Sequence, residues 1–217
     1  GVPCLGRYPV RRRGPVLLYA AEDAPHIVRA RLGGICASAQ VPLDSLDVHV
    51  IVDPVVRIDV DTDRARLRDE VLRLRPRLLV LDPFVRLHRI DENAAAEVAP
   101  LLAYLRALQR ELGCAVVLVH HARKGGHARA GQALRGSSEL HAWGDSNLYL
   151  RRDREQLLLS IEHRAAAGVT GIELELAERR GGLALHVRED MAPALPEPPR
   201  TPVQRVLVAL GDADAPL

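Results

Sequence analysis

Short apolar runs alternate with longer stretches of helical spacing up to residue 119, and the period shortens to two after residue 146. Residues 16–21 are an apolar run that ends in Glu22–Asp23. Residues 46–52 alternate, with Leu46, Val48, Val50 and Val52 on one face. Residues 78–81 are four aliphatics closed by Asp82, and residues 115–119 are all apolar and run into His120–His121. A strand covered on both faces reads as such an unbroken apolar run. Between these strands lie helical patterns. Residues 24–40 carry Pro25 in a first turn, although Gly33–Gly34 weakens the pattern. Residues 63–74 are amphipathic, with Leu67, Val71, Leu72 and Leu74 expected to face inward. Residues 94–112 place Val98, Leu101, Leu102, Leu105, Leu108 and Leu112 at helical spacing, closed by Gly113. Strands alternating with helices predict βαβ units and a mostly parallel sheet flanked by helices.

The pattern then changes. Residues 124–134 are basic and rich in Gly and Ala, and Ser137 or Ser138 is placed to cap a short helix. Residues 146–151, 156–162, 171–177 and 183–187 read as antiparallel strands, with turns at Asp153–Arg154 and Arg180–Gly181–Gly182. Residues 193–202 contain five prolines and read as a linker, and residues 201–210 begin another helix. The expected organisation is an α/β core over residues 1–190 with C-terminal antiparallel strands. A linker over 191–202 and the start of a further domain, of winged-helix type, over 203–217 complete it.

Right-handed crossovers bring the C-terminal ends of parallel strands to one edge, where open α/β sheets bind ligands. Glu22, Asp23, Asp82, His120 and His121 are therefore expected on one rim. An apolar strand closed by an acid has the form of a Walker B strand, whose Asp helps hold a nucleotide-bound Mg²⁺. The plain alternative for each acid is a solvent-facing residue at a strand end. His120–His121 reads poorly as a zinc pair, because adjacent strand residues point to opposite faces and no Cys or third His is spaced to complete a site. His88, His127, His141 and His163 read as surface or incidental. Trp143 reads as a core anchor, and Arg86 as a loop residue or the partner of a rim acid.

Composition narrows the classes. Net charge is only +2 across 217 residues, so no global polyanion-binding signature exists. Aromatics are 3%, which argues against base stacking on aromatic platforms as the main mode of nucleic-acid binding. Arg11, Arg12 and Arg13 read as a solvated turn. Cys4, Cys36 and Cys114 are odd in number and widely spaced, implying neither a disulfide framework nor a zinc site, and a cytoplasmic setting fits. No apolar run has the length of a membrane span, so no membrane partner is expected. Gly1 is not an initiator Met and the chain stops at Ala215–Pro216–Leu217, so a piece of a longer protein is expected.

Four ordered segments carry a family resemblance: Leu18-Tyr19-Ala20-Ala21-Glu22-Asp23, Leu79-Val80-Leu81-Asp82-Pro83-Phe84-Val85-Arg86, Val117-Leu118-Val119-His120-His121-Ala122-Arg123-Lys124-Gly125 and Arg135-Gly136-Ser137-Ser138. Over residues 14–165 the chain resembles RecA-like P-loop ATPases, and more closely the RepA-type hexameric replicative helicases. The resemblance implies ATP and Mg²⁺ as cofactors, a homo-oligomeric ring (a hexamer) and single-stranded DNA as partner. Glu22 resembles the carboxylate that orients the attacking water, Asp82 the Mg²⁺-shell acid and His121 the γ-phosphate sensor. Asp23 and Arg86 fall at the cofactor-binding rim. Lys124 and Arg135 fall in the loop such rings point toward a neighbour or DNA. The family's finger arginine has no counterpart in Trp143-Gly144-Asp145-Ser146-Asn147, and Arg164 is a further basic candidate. The chain contains no Gly-x-x-x-x-Gly-Lys-Ser/Thr, and Lys124 is its sole lysine. It is expected to begin just after a P-loop helix and to bind ATP poorly alone. The competing reading is a non-catalytic DNA-binding or assembly module.

Overall fold

The computed structural model describes residues 2–52, 56–121, 138–154 and 156–188. Two sheets carry the chain. The first runs β1 (Val16–Ala20), α1 (Pro25–Ala39), β2 (Val48–Ile51), α2 (Asp61–Leu74), β3 (Leu78–Asp82), α3 (Ala95–Leu112) and β4 (Ala115–Leu118). Its strands are all parallel, in the order β2-β1-β3-β4. After the short helix α4 (Ser138–Trp143) come β5 (Ser146–Asp153), β6 (Gln156–His163), β7 (Val169–Arg179) and β8 (Gly182–Val187). These form an antiparallel meander in sequence order. The mostly parallel sheet flanked by helices and the C-terminal antiparallel strands expected from the apolar periodicity are the ones observed.

The first core lies between the parallel sheet and the helices α2 and α3. Leu17 and Tyr19 of β1 and Leu79 and Leu81 of β3 pack there with Val71, Val98 and Leu105. β3 is less completely covered than its unbroken apolar run implied. Leu79 and Leu81 are buried, while Leu78 and Val80 on the other face are half-buried. Among the described residues β4 is the last strand of its sheet, and Val117 on it is exposed. On α2, Leu67 and Val71 point inward as expected, but Leu72 is exposed because it falls off the stripe that meets α3. Trp143 anchors α4 to α3: its indole N–H donates to the Leu102 carbonyl at 2.9 Å, and the Arg106 guanidinium lies over its ring.

Gly33–Gly34, which weakened the helical pattern, sits inside α1, and Gly34 has a packing reason. A Cβ on Gly34 would stand 2.9 Å from the Leu183 carbonyl oxygen of β8. One on Gly182 would stand 2.1 Å from the Gly34 oxygen, so both glycines serve one close backbone contact. Ser38 and His186 add a hydrogen bond at 3.2 Å, fastening α1 to the second sheet. The β7–β8 turn uses positive φ at Arg180 and Gly181, as a two-residue hairpin whose twist matches its strands requires. The expected linker and final helix, from residue 191 on, lie outside the described residues.

Candidate active site

The rim follows from strand order. β1, β3 and β4 are direct neighbours and parallel, so their C-terminal ends stand side by side. Ala20 is in register with Asp82, and Ala21 N–H donates to the Asp82 carbonyl at 3.0 Å, extending the ladder beyond β1. On the other side Val119 N–H donates to Leu81 O at 3.0 Å, and Phe84 N–H donates to Val119 O at 2.7 Å. These bonds hold the chain immediately before Glu22, around Asp82 and before His121 to one edge.

The side chains meet there. Arg86 Nε–H donates to Glu22 Oε1 at 2.9 Å. The other Glu22 oxygen is 3.9 Å from His121 Nε2. Asp23 is held by Arg31 of α1, a partner the sequence reading did not single out. Partial burial pushes the Asp82 carboxyl above the ordinary carboxylate range; His121 opposes this shift, and Asp23 and Glu22 add to it. The Glu22 and His121 side chains are 42% and 67% exposed, so the site is open to water. Two carboxylates and an imidazole around such an edge can orient a water and offer hard oxygen donors to a cation.

Residues 1–127, more than half of the chain, match the sequence model of an AAA domain. The chain belongs to the AAA domain family. A solved structure titled for a DnaB-like replicative helicase and its interactions with primase is similar at a TM-score of 0.56 and 15% identity. The match covers 78% of this chain and 50% of the helicase chain, so the present AAA domain spans about half the length of that relative. At that identity the likeness speaks for the fold, a RecA-like P-loop ATPase core.

The donors of this AAA domain fit Mg²⁺ in one specific sense. Asp82 is a hard oxygen ligand, and among the described residues no group of three or more His, Cys, Asp or Glu is arranged to hold a metal alone. Such a set suits an ion carried by one or two carboxylates together with substrate phosphates. The phosphate cradle itself is not in the sequence, which contains no Gly-x-x-x-x-Gly-Lys-Ser/Thr.

Other expected site residues fall elsewhere. Arg164 is bound within the chain, to Asp145 at 3.3 Å and to the Ala142 carbonyl. The Asp145 carboxyl is lowered from the ordinary carboxylate range, first by its hydrogen bond from Arg106 at 2.8 Å, with Arg164 adding to it. Lys124, Arg135 and His127 lie outside the described residues. His141 faces Glu162 at 3.1 Å, and His163 shares a 2.8 Å hydrogen bond with Ser146. His88 needs correction: it is buried, with its ring against Phe84 at a centroid distance of 4.3 Å. Its loop has no periodicity that would have revealed this. Glu92, which faces both His88 and His120, was missed for the same reason.

Proposed function

We propose that this chain is the catalytic-edge portion of an ATP-hydrolysing motor domain in a RepA-like ring ATPase, coupling hydrolysis to binding or movement on single-stranded DNA. The observation that carries the reading is the meeting of Glu22, Asp82 and His121 at the ends of three adjacent parallel strands, within an AAA domain. When bound, Mg²⁺–ATP supplies a transferable γ-phosphoryl and a cation that neutralises charge on its oxygens. What remains for the protein is positioning and electrostatics. Glu22 orients the attacking water, and Arg86 and His121 on its two oxygens set its direction. Asp82 holds the ion's coordination shell, and Asp23, braced by Arg31, stands beside it. With nucleotide bound, the exposed His121 ring would sense the γ-phosphate.

The same proposal extends to the larger assembly that the family resemblance implies, a homo-oligomeric ring (a hexamer) in the cytoplasm. The trans-acting basic group then comes from Lys124 or Arg135. Arg164 is the weaker candidate, since it must first leave Asp145 and the Ala142 carbonyl. The domain division at residues 190 and 202 belongs to the same proposal. The test is ATP hydrolysis by the full-length protein that carries this chain, with and without single-stranded DNA. Stimulated hydrolysis that disappears in Glu22→Gln while nucleotide binding persists supports the reading. DNA binding with no hydrolysis under any condition supports the non-catalytic assembly module instead.

A further inference from the structure

One cluster of titratable groups is not used by this chemistry. Glu92 stands between two imidazoles, with His88 Nε2 3.3 Å from Oε1 and His120 Nδ1 3.9 Å from Oε2. The side chains are 2% exposed for His88, 11% for His120 and 22% for Glu92. Phe84 closes the group, with ring centroids 4.3 Å from His88 and 6.3 Å from His120. Glu92 Oε1, His120 Nδ1 and both nitrogens of His88 are buried without a well-formed hydrogen bond. A buried polar atom left unsatisfied is costly, and one carboxylate oxygen together with three imidazole nitrogens in a single cluster are not scattered defects.

Chemistry leaves few ways to satisfy them. Burial pulls both imidazoles below the ordinary histidine range; Glu92 opposes the shift, and Asp59 adds to that opposition at His88. A neutral imidazole has one N–H and one lone pair. Facing a carboxylate oxygen, the nitrogen must be the one that carries the proton, since two lone pairs repel. The carboxylate therefore selects the Nε2–H form of His88 and the Nδ1–H form of His120. His120 is followed directly by His121, whose ring faces Glu22.

We propose that Glu92 is a positioning residue for the rim: it accepts from His88 Nε2–H, faces His120 Nδ1–H across 3.9 Å and orients that ring electrostatically, and thereby holds His121 beside Glu22. Its consequence for hydrolysis rests on the function proposed above; the proton arrangement does not. Glu92→Gln sharpens the point. An amide offers one acceptor and one donor, so it cannot present an oxygen to both imidazoles, and one of them must move its proton.

The experiment is long-range ¹⁵N–¹H correlation of the histidine rings at pH 7.5, on the intact chain and on Glu92→Gln, with cross-relaxation between the His121 ring and the Glu22 methylenes. The expected result is Nδ1–H on His120 and Nε2–H on His88 in the wild type. In Glu92→Gln one ring changes tautomer and the His121–Glu22 cross-relaxation falls by more than half. A wild-type His120 that is Nε2–H or imidazolium overturns the proposal, even if the variant fails to fold. So does stoichiometric bound zinc by elemental analysis, or a His121 signal unaltered in Glu92→Gln. A parent protein that hydrolyses no ATP, with these tautomers as expected, overturns the proposed function and leaves the Glu92 arrangement standing.

Discussion

Two carboxylate–histidine pairs flank one peptide link, at the same separation and in opposite surroundings. His121 is 3.9 Å from Glu22, and both side chains are open to water. His120 is 3.9 Å from Glu92, and both are largely buried beneath the rim. The exposed pair is screened and contributes little to stability, which leaves its groups free to meet a substrate. The buried pair has no water to fall back on, so its protons must be arranged in advance. Under the proposed function adjacent residues would divide the work, His121 presenting chemistry and His120 supporting it.

That contrast can be broken from either side. The largest effect belongs to the exposed pair: Glu22→Gln in the full-length protein should lower ATP turnover by roughly 10²- to 10⁴-fold with nucleotide affinity retained. Steady-state hydrolysis and equilibrium nucleotide binding check this together. Equal loss of both would make Glu22 a structural residue.

On the buried side, Phe84→Ala removes the ring that closes the histidine cluster, and should cost about 3–5 kcal/mol of stability. Denaturant titration reads it as a lowered midpoint at unchanged slope. A change within ~0.5 kcal/mol would mean the cluster is not packed as described.

The buried histidines also give a pH dependence with a definite sign. Their folded pKa values lie below the unfolded ones, so the unfolded chain binds more protons near pH 6. Stability should be full above the ordinary histidine value and fall as pH drops through it toward the folded values. Thermal melts between pH 7.5 and 5 test this, and His88→Phe should flatten the fall. A melting temperature that rises on acidification would contradict it.

The smallest stability effect should come from Arg86→Ala, since the Arg86–Glu22 pair is exposed: within about 1 kcal/mol. Turnover should nonetheless drop, because one Glu22 oxygen loses its donor. A variant with unaltered turnover would remove Arg86 from the site.

What the sequence made legible follows from periodicity. Glu22, Asp82 and His121 could be placed on one edge because parallel strands leave no other place for their C-terminal ends. The antiparallel meander was equally readable from its period of two. Leu72 was misread because an apolar residue one step off a helix stripe looks like part of it. Gly34 looked like a flaw in α1, since its reason is a contact with β8 almost 150 residues away. His88 was misread as a surface residue, and Glu92 escaped notice, because the loop between β3 and α3 has no pattern. Only the fold brings Phe84, Glu92 and His120 together, and burial then turns ordinary residues into a coupled group.

The central claim is that the ends of β1, β3 and β4 form a nucleotide-hydrolysing edge. Single-turnover ATP hydrolysis by the full-length protein, wild type against Glu22→Gln with bound nucleotide measured in the same samples, tests it most directly. The account predicts full occupancy in both and phosphate release only in the wild type. Phosphate release at the same rate in Glu22→Gln would contradict it.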